Sequence, residues 1–402
     1  MTNQKNILNK YNKTSHYIFF IALLFLLFLY SIFDLTASQN TGFGRTNRFY
    51  VHLILALIII FLVLYLSFKT LGGEFPRNKI FRSILIISIW IGIVSILRQS
   101  DYWSIFVSMG LPFLWALLFI YFNKFCPLSK RVNMIIRTFM LILFTQYALA
   151  LMLSSLIFRD VKIDYVMNLS YSVLVFFPWL TIINNSKQRR HLIILLLFLI
   201  IFSAKRGAII AFIFMAFAYF SYGKKNKVVL TKPKYLLSLL IFISLFILLL
   251  FLFDSYYFNG YLMNRFSLSE LRYGSGRGEL YRRAVEEILN RDFIDLFVGS
   301  GSGSASRILG TSVHQEVLEF LFSYGLIGLF LYMNFILQLI LQIKYMKKSK
   351  AEYFKSSYMA FIYILIVGLY GQVMFSHAML YIIIFIGFSS SRQQTCLIRT
   401  IL

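Results

Sequence analysis

Long apolar runs recur along the chain, at about 17–33, 51–68, 80–97, 103–122, 134–157, 165–183, 191–203, 207–222, 235–253, 313–343, 356–375 and 377–389. A helix needs ~20 predominantly apolar residues to cross ~30 Å of hydrocarbon. The spacing therefore predicts an all-α polytopic membrane protein with about 12 transmembrane helices. Segments of ~10 alternating residues, the pattern of a membrane barrel, are absent. With 59% hydrophobic and 14% charged residues over 402 positions, the chain lacks the polar surface a soluble globule of this size requires.

The first run follows the basic start "MTNQKNILNKYNK" and has no small-x-small cleavage site, so it reads as a retained first span. A net charge of +25 raises the question of a nucleic-acid partner, but position answers it. Most of the 40 Lys and Arg fall in alternate inter-run segments, as the positive-inside rule demands, and no nucleic acid is expected. The pattern puts both termini in the cytoplasm. The short outer loops then hold Arg45, Arg48, Arg98, Arg159, Lys162, Lys205 and Arg206. Cys126 and Cys396 fall on the reducing side, too few for a disulfide framework and without metal-ligand spacing.

Three regions follow. Residues 1–253 hold the first nine spans, 254–312 form one long outer loop, and 313–402 hold the last three spans. Within the loop, "GELYRRAVEEILNRD" (Gly278–Asp292) carries Leu280, Ala284, Val285, Ile288 and Leu289 at helical spacing. That predicts an amphipathic helix lying on the membrane or capping the bundle. A Gly/Ser-rich turn, "LFVGSGSGSAS", follows it.

Apart from the start of the tenth run, no acidic residue falls mid-span, and no internal repeat is evident. Both features count against an ion-coupled carrier. Polar interest gathers at the outer face instead. In "SAKRGAIIAF" (Ser203–Phe212), Lys205 and Arg206 read either as snorkelling cations of a tight turn or as a phosphate site at a helix N-terminus. In "RYGSGRGELYRRA", Arg272, Arg277, Arg282 and Arg283 surround three glycines, but no strand precedes them and no Lys–Ser/Thr follows. Ser312 and Gln315 have capping-box spacing. On that reading Ser312 is the N-cap and His314 lies in the first helical turn, where the dipole favours neutral imidazole. Such a histidine is either a satisfied structural group or a base for a hydroxyl nucleophile. Glu316 and Glu319 point to other faces of that helix and favour its N-terminus; His377 sits at another outer helix mouth.

Three pieces of Ser203–Met333 resemble, in order and spacing, the O-antigen polymerase and ligase superfamily. "SAKRGAIIAF" resembles its Ser-x-x-Arg-Gly at a span start. The Arg-bearing loop helix is followed by a Gly-x-Gly turn. "HQEVLEFLFSYGLIGLFLYM" resembles its His-Asn-x-x-Leu-Glu…Gly-Leu-Ile-Gly segment, with Gln315 where the family commonly has Asn. Beyond these pieces only the span count matches.

The resemblance implies a glycosyltransferase C-like multispan fold in the bacterial cytoplasmic membrane, with the active site on the outer face. It also implies a metal-independent, inverting glycosyltransferase, without a cofactor, whose donor is a polyprenyl (undecaprenyl) diphosphate-linked oligosaccharide. By resemblance Arg206 binds the donor diphosphate. Arg277 is the best loop match for a second contact, with Lys205, Arg265, Arg272 and Arg282 as further or competing contacts. His314 activates the acceptor hydroxyl or steadies the leaving diphosphate, and Glu316 and His377 complete the polar set. Partners expected on the same ground are membrane lipid and chain-length regulators or other polysaccharide-assembly proteins. The function so implied is a capsule or O-antigen polysaccharide polymerase. A ligase shares every motif, and a lipid-linked glycan flippase or transporter is the competing class.

Overall fold

The computed structural model describes residues 17–32, most of 54–65, 78–125, 129–157, 163–203, 205–222, scattered positions within 244–258, and 277–401. Among these the architecture is all-helical, and helical residues fall within every one of the twelve apolar runs. In chain order the helices with complete bounds are α1 (Tyr17–Ile32), α2 (Lys79–Leu97), α3 (Tyr102–Ile120), α4 (Lys130–Ile157) and α5 (Ile163–Leu174). They continue with α6 (Phe177–Thr181), α7 (Ser186–Phe202), α8 (Arg206–Phe220), α9 (Arg277–Leu289) and α10 (Phe293–Val298). The last four are α11 (Ser304–Leu309), α12 (Glu316–Lys348), α13 (Phe354–Tyr370) and α14 (Ala378–Ile401). Among the described residues four helices, within α2, α3, α4 and α12, are long and apolar enough to cross a membrane, and five shorter apolar helices accompany them.

Helix α2 shows how an apolar run becomes one wall of a bundle. Ile80, Ile84, Ile87, Ile91 and Val94 are buried at helical spacing, while Ile86, Ile89, Ile93, Ile96 and Leu97 remain exposed on the opposite face. A face of that composition suits lipid. Small residues line the inner face, and Ser88 donates to the Met109 carbonyl across the α2–α3 hairpin at 2.7 Å. At the centre, α14 is buried on every side from Ala378 to Ser391. Trp115 donates to the Met374 carbonyl at 2.9 Å just before it, and Trp179 donates to the Tyr381 carbonyl within it at 3.2 Å.

The contacts sort into two ends. At one, Arg137 reaches Asn184 (2.6 Å) and Tyr353 (2.9 Å), and Lys347 and Lys355 lie over the rings of Tyr222 and Tyr219. At the other, the 98–104 turn, the head of α8, residues 277–315 and the 371–377 link gather around the start of α12. An Arg98–Asp295 ion pair ties α10 to the α2–α3 turn there.

Several expectations change. The tenth run does not enter its helix at 313, since α12 begins at Glu316. At 33 residues α12 is longer than a bilayer requires, and Gly325 (φ 66°, ψ −169°) breaks it into 316–324 and a membrane-length 326–348. The break is built rather than accidental. The carbonyls at it accept from Ser300 and Gly301 N–H, from the Arg291 guanidinium (2.6 Å to Phe322) and from the Trp90 indole (3.1 Å to Tyr324). Backbone groups that would otherwise be orphaned are thus satisfied by the Gly/Ser-rich turn. The eleventh helix ends at Tyr370, earlier than the run to 375, because 371–377 folds back over the head of α12. The predicted loop helix is present as α9, but it buries only Ala284 and Ile288 fully, and Leu289 stays exposed.

Candidate functional site

Four segments distant in sequence form the cluster. Helix α8 starts with Lys205 as its N-cap, in extended conformation and with no side-chain capping bond, while Ser203 Oγ accepts the Lys205 N–H at 3.3 Å. Arg206 is the first helical residue and is half-buried, as Lys205 is. The next residue is Gly207, whose missing side chain leaves room for Tyr171 and for Cβ of Tyr370. That close approach brings the cationic head of α8 against the end of α13. Lys205 Nζ lies 5.7 Å from the centroid of the Tyr171 ring.

Arg277 opens α9 and donates to the Tyr370 carbonyl at 2.9 Å, so both cationic segments meet at the same residue. Burial pushes the phenol of Tyr281 up, against the opposing charge and hydrogen bond of Arg277.

His314 is not in the first helical turn. It has φ 57°, in the left-handed region, and lies outside α12. Nor is Ser312 the N-cap. Gln315 is, with its side-chain oxygen accepting Leu318 N–H at 2.6 Å. The Ser312 hydroxyl is engaged instead by the His314 ring, 3.1 Å from Nδ1, with Thr311 Oγ1 3.4 Å from Nε2. Position 315 is therefore a helix N-cap, a place where Asn is favoured and where Gln315 supplies the equivalent oxygen. The His314 imidazole is held below its ordinary pKa, first by partial burial and then by the charges of Arg277 and Lys205. By surface area the residue is still exposed, so its desolvation is incomplete and its edge stays accessible. The expected neutral form is favoured by partial burial and then by neighbouring cations, rather than by a helix dipole.

The structure thus brings Lys205, Arg277 and His314 together, with Arg206 beside Lys205. Other candidates sit elsewhere. Arg282 is spent on the exposed face of α9, paired with Glu279 and Glu286 at 2.6 Å each, and Glu279 is the main cause of its raised pKa. His377 is in the link before α14, where Nδ1 meets the Tyr30 hydroxyl of α1 and the two rings contact edge-on at 5.3 Å. Arg265 and Arg272 lie outside the described residues. Glu316 is only 1% exposed, and its carboxylate accepts the backbone N–H groups of Val373 and Met374, the latter at 3.0 Å. It is turned into the protein.

Sequence reasoning gave Glu319 only a role at the helix N-terminus and missed the Tyr370 carbonyl. Glu319 is buried and accepts Val313 N–H and the Ser323 hydroxyl, both at 3.0 Å. Its one sequence signal was an acidic residue three places after another at the mouth of an apolar helix. A carbonyl such as that of Tyr370 leaves no sequence signal at all. Chemically, the cluster offers fixed cations for an anion and an unprotonated imidazole for a proton. No protein-family model and no curated protein matches the chain in comparison with known proteins.

Proposed function

We propose that the protein is a polysaccharide polymerase of the O-antigen type. It transfers a growing glycan from polyprenyl diphosphate onto the non-reducing end of the next lipid-linked repeat unit. The observation that carries this reading is the meeting of Lys205, Arg277 and His314, from three segments far apart in the chain, at one end of the apolar bundle. A lipid diphosphate keeps its chain in the bilayer and its charge at headgroup level, so it needs cations at a helix-bundle end rather than in a deep pore.

In the reaction proposed, an acceptor hydroxyl attacks the anomeric carbon of the donor sugar from the face opposite the diphosphate. The new C–O bond forms as the old one breaks, so the configuration inverts, and the diphosphate leaves with the electron pair. His314 takes the hydroxyl proton, and Arg206, Arg277 and Lys205 carry the charge that grows on the leaving oxygens. The same reading has the chain cross the bacterial cytoplasmic membrane about twelve times, by the count of apolar runs. Both termini then face the cytoplasm and the cluster faces out.

The test supplies purified protein with lipid diphosphate-linked repeat units and separates the products by size. A ladder of lengthened glycans, lost on Arg206→Ala and on His314→Ala at unchanged protein level, is the expected result. A ladder indifferent to both substitutions removes the site assignment. Transfer to a different acceptor without any ladder makes the protein a ligase, and the absence of both products refutes the transferase reading.

A further inference from the structure

Two buried carboxylates hold the two sides of the cluster. Glu316 and Glu319 lie on consecutive turns of the short head of α12 and both reach the 371–377 link, but Glu319 also reaches back to Val313. Both oxygens of Glu316 accept backbone N–H groups of the 371–377 link, whose preceding residue, Tyr370, is the anchor of Arg277. Glu319 accepts the N–H of Val313, next to His314, and also Ser323 and the side chain of Gln372. The left-handed backbone of His314 is thereby tied down on its N-terminal side by Glu319 and on its C-terminal side by the Gln315 cap.

We propose that Glu316 and Glu319 are positioning residues: Glu316 fixes the link that carries the Arg277 anchor, and Glu319 fixes the turn that carries His314. The proposal rests on the transferase reading above for its consequence in catalysis, though not for its geometry.

Their partners differ in kind, and this separates them experimentally. The two partners of Glu316 are backbone N–H groups, which only donate. A glutamine there directs its own NH₂ at a donor and leaves one buried N–H without an acceptor. Of the three partners of Glu319, only Val313 N–H is a fixed donor. The Ser323 hydroxyl and the Gln372 amide can each reverse and accept, so a glutamine at 319 keeps every bond. Glu316→Gln therefore loses the clamp, whereas Glu319→Gln is the conservative variant that restores what Glu319→Ala loses.

Diethylpyrocarbonate, which acylates only unprotonated imidazole, reads the geometry without any substrate. Modification of His314 and His377 is followed by peptide mass spectrometry across a pH series, on full-length protein in detergent. The charged and titratable groups around His314 are Lys205, with Arg206 beside it, at the head of α8, Arg277 at the head of α9, and Glu316 and Glu319 in α12. In the intact protein the His314 curve has its midpoint below the ordinary ~6.5. Glu319→Ala moves the midpoint up as the ring leaves its cations, and Glu319→Gln returns it. Glu316→Gln raises the rate at His377, which lies in the released link, and Glu316→Asp does the same because the shorter arm cannot reach both N–H groups. In the glycan assay Glu316→Gln and Glu319→Ala each lower kcat by about tenfold or more, a size set by one buried donor left unpaired.

A wild-type His314 curve in Glu319→Ala, a failure of Glu319→Gln to restore it, or a wild-type His377 rate in both Glu316 variants overturns the clamp. Loss of all glycan transfer in the wild-type protein refutes the proposed function instead, and the modification curves still decide the clamp.

Discussion

His314 carries the functional reading because three separate features act on one ring. A left-handed backbone presents it, the hydroxyls of Ser312 and Thr311 contact it, and partial burial, then Arg277 and Lys205, disfavour its protonation. Replacing it with alanine removes the proton acceptor, and glycan transfer should fall by ~10²–10⁴-fold at unchanged protein level, measured as the initial rate of ladder formation. The pH dependence has a definite sign. Lowering the pH through a depressed pKa protonates the imidazole and stops it accepting a proton, so the acid limb of the rate lies below ~6.5. Arg277→Ala removes one of the two depressing charges. It should shift that limb to higher pH and lower the rate further than Arg282→Ala, whose side chain is already held by two glutamates. Residue type and position marked His314, Arg206 and Arg277 as candidates, and their expected roles came from the family resemblance. The cap was not legible, because Ser312 and Gln315 each offer an oxygen at acceptable spacing and the choice depends on Ser312 being held by the His314 ring.

Helix α12 is where local pattern and structure part. Its sequence reads as one uninterrupted apolar helix with a polar mouth, and "SYGLIG" contains no proline to suggest otherwise. The break at Gly325 exists because the 299–301 turn packs its backbone against that of 323–325, so a glycine is needed on both sides. A side chain at 325 meets the Phe297 carbonyl and strains a positive φ, so Gly325→Ala should destabilise the protein by ~2 kcal/mol or more. Thermal unfolding of the detergent-purified protein measures this. Little or no loss would mean that the head of α12 is a simple continuation of the span. The same element shows why glutamates at a helix mouth misled a reading by charge alone. Near a helix N-terminus acidic residues are expected for the dipole, and only the fold-back of 371–377 turns Glu316 into an acceptor for another segment's backbone.

At the scale of the molecule, charge alternation and contact geometry concern the same question from independent directions. Segments at or next to the loops expected outside (Arg98, Lys205 and Arg206, the described part of the 254–312 loop, and the 371–377 link) meet at one end of the bundle, and Arg137, Lys347 and Lys355 gather at the other. Single cysteines placed in a variant lacking Cys126 and Cys396 give the check. Positions 102 and 306 should react with a membrane-impermeant maleimide in intact cells, and positions 188 and 349 only after permeabilisation. Labelling of all four from outside would break the topology and with it the outer-face site. Helical class and the positions of the apolar runs were set by the sequence itself, because crossing hydrocarbon forces backbone groups to bond within the segment and leaves composition as the visible trace. Candidate cations at the outer loops were equally visible, since a charge that departs from the inside rule stands out against lipid-facing residues. Only the tertiary structure decided which of those cations meet His314, that α12 breaks at Gly325, and that Glu316 and Glu319 face inward. Each of these depends on backbone groups from remote segments, and a backbone N–H or C=O is the same at every position until folding chooses its partner.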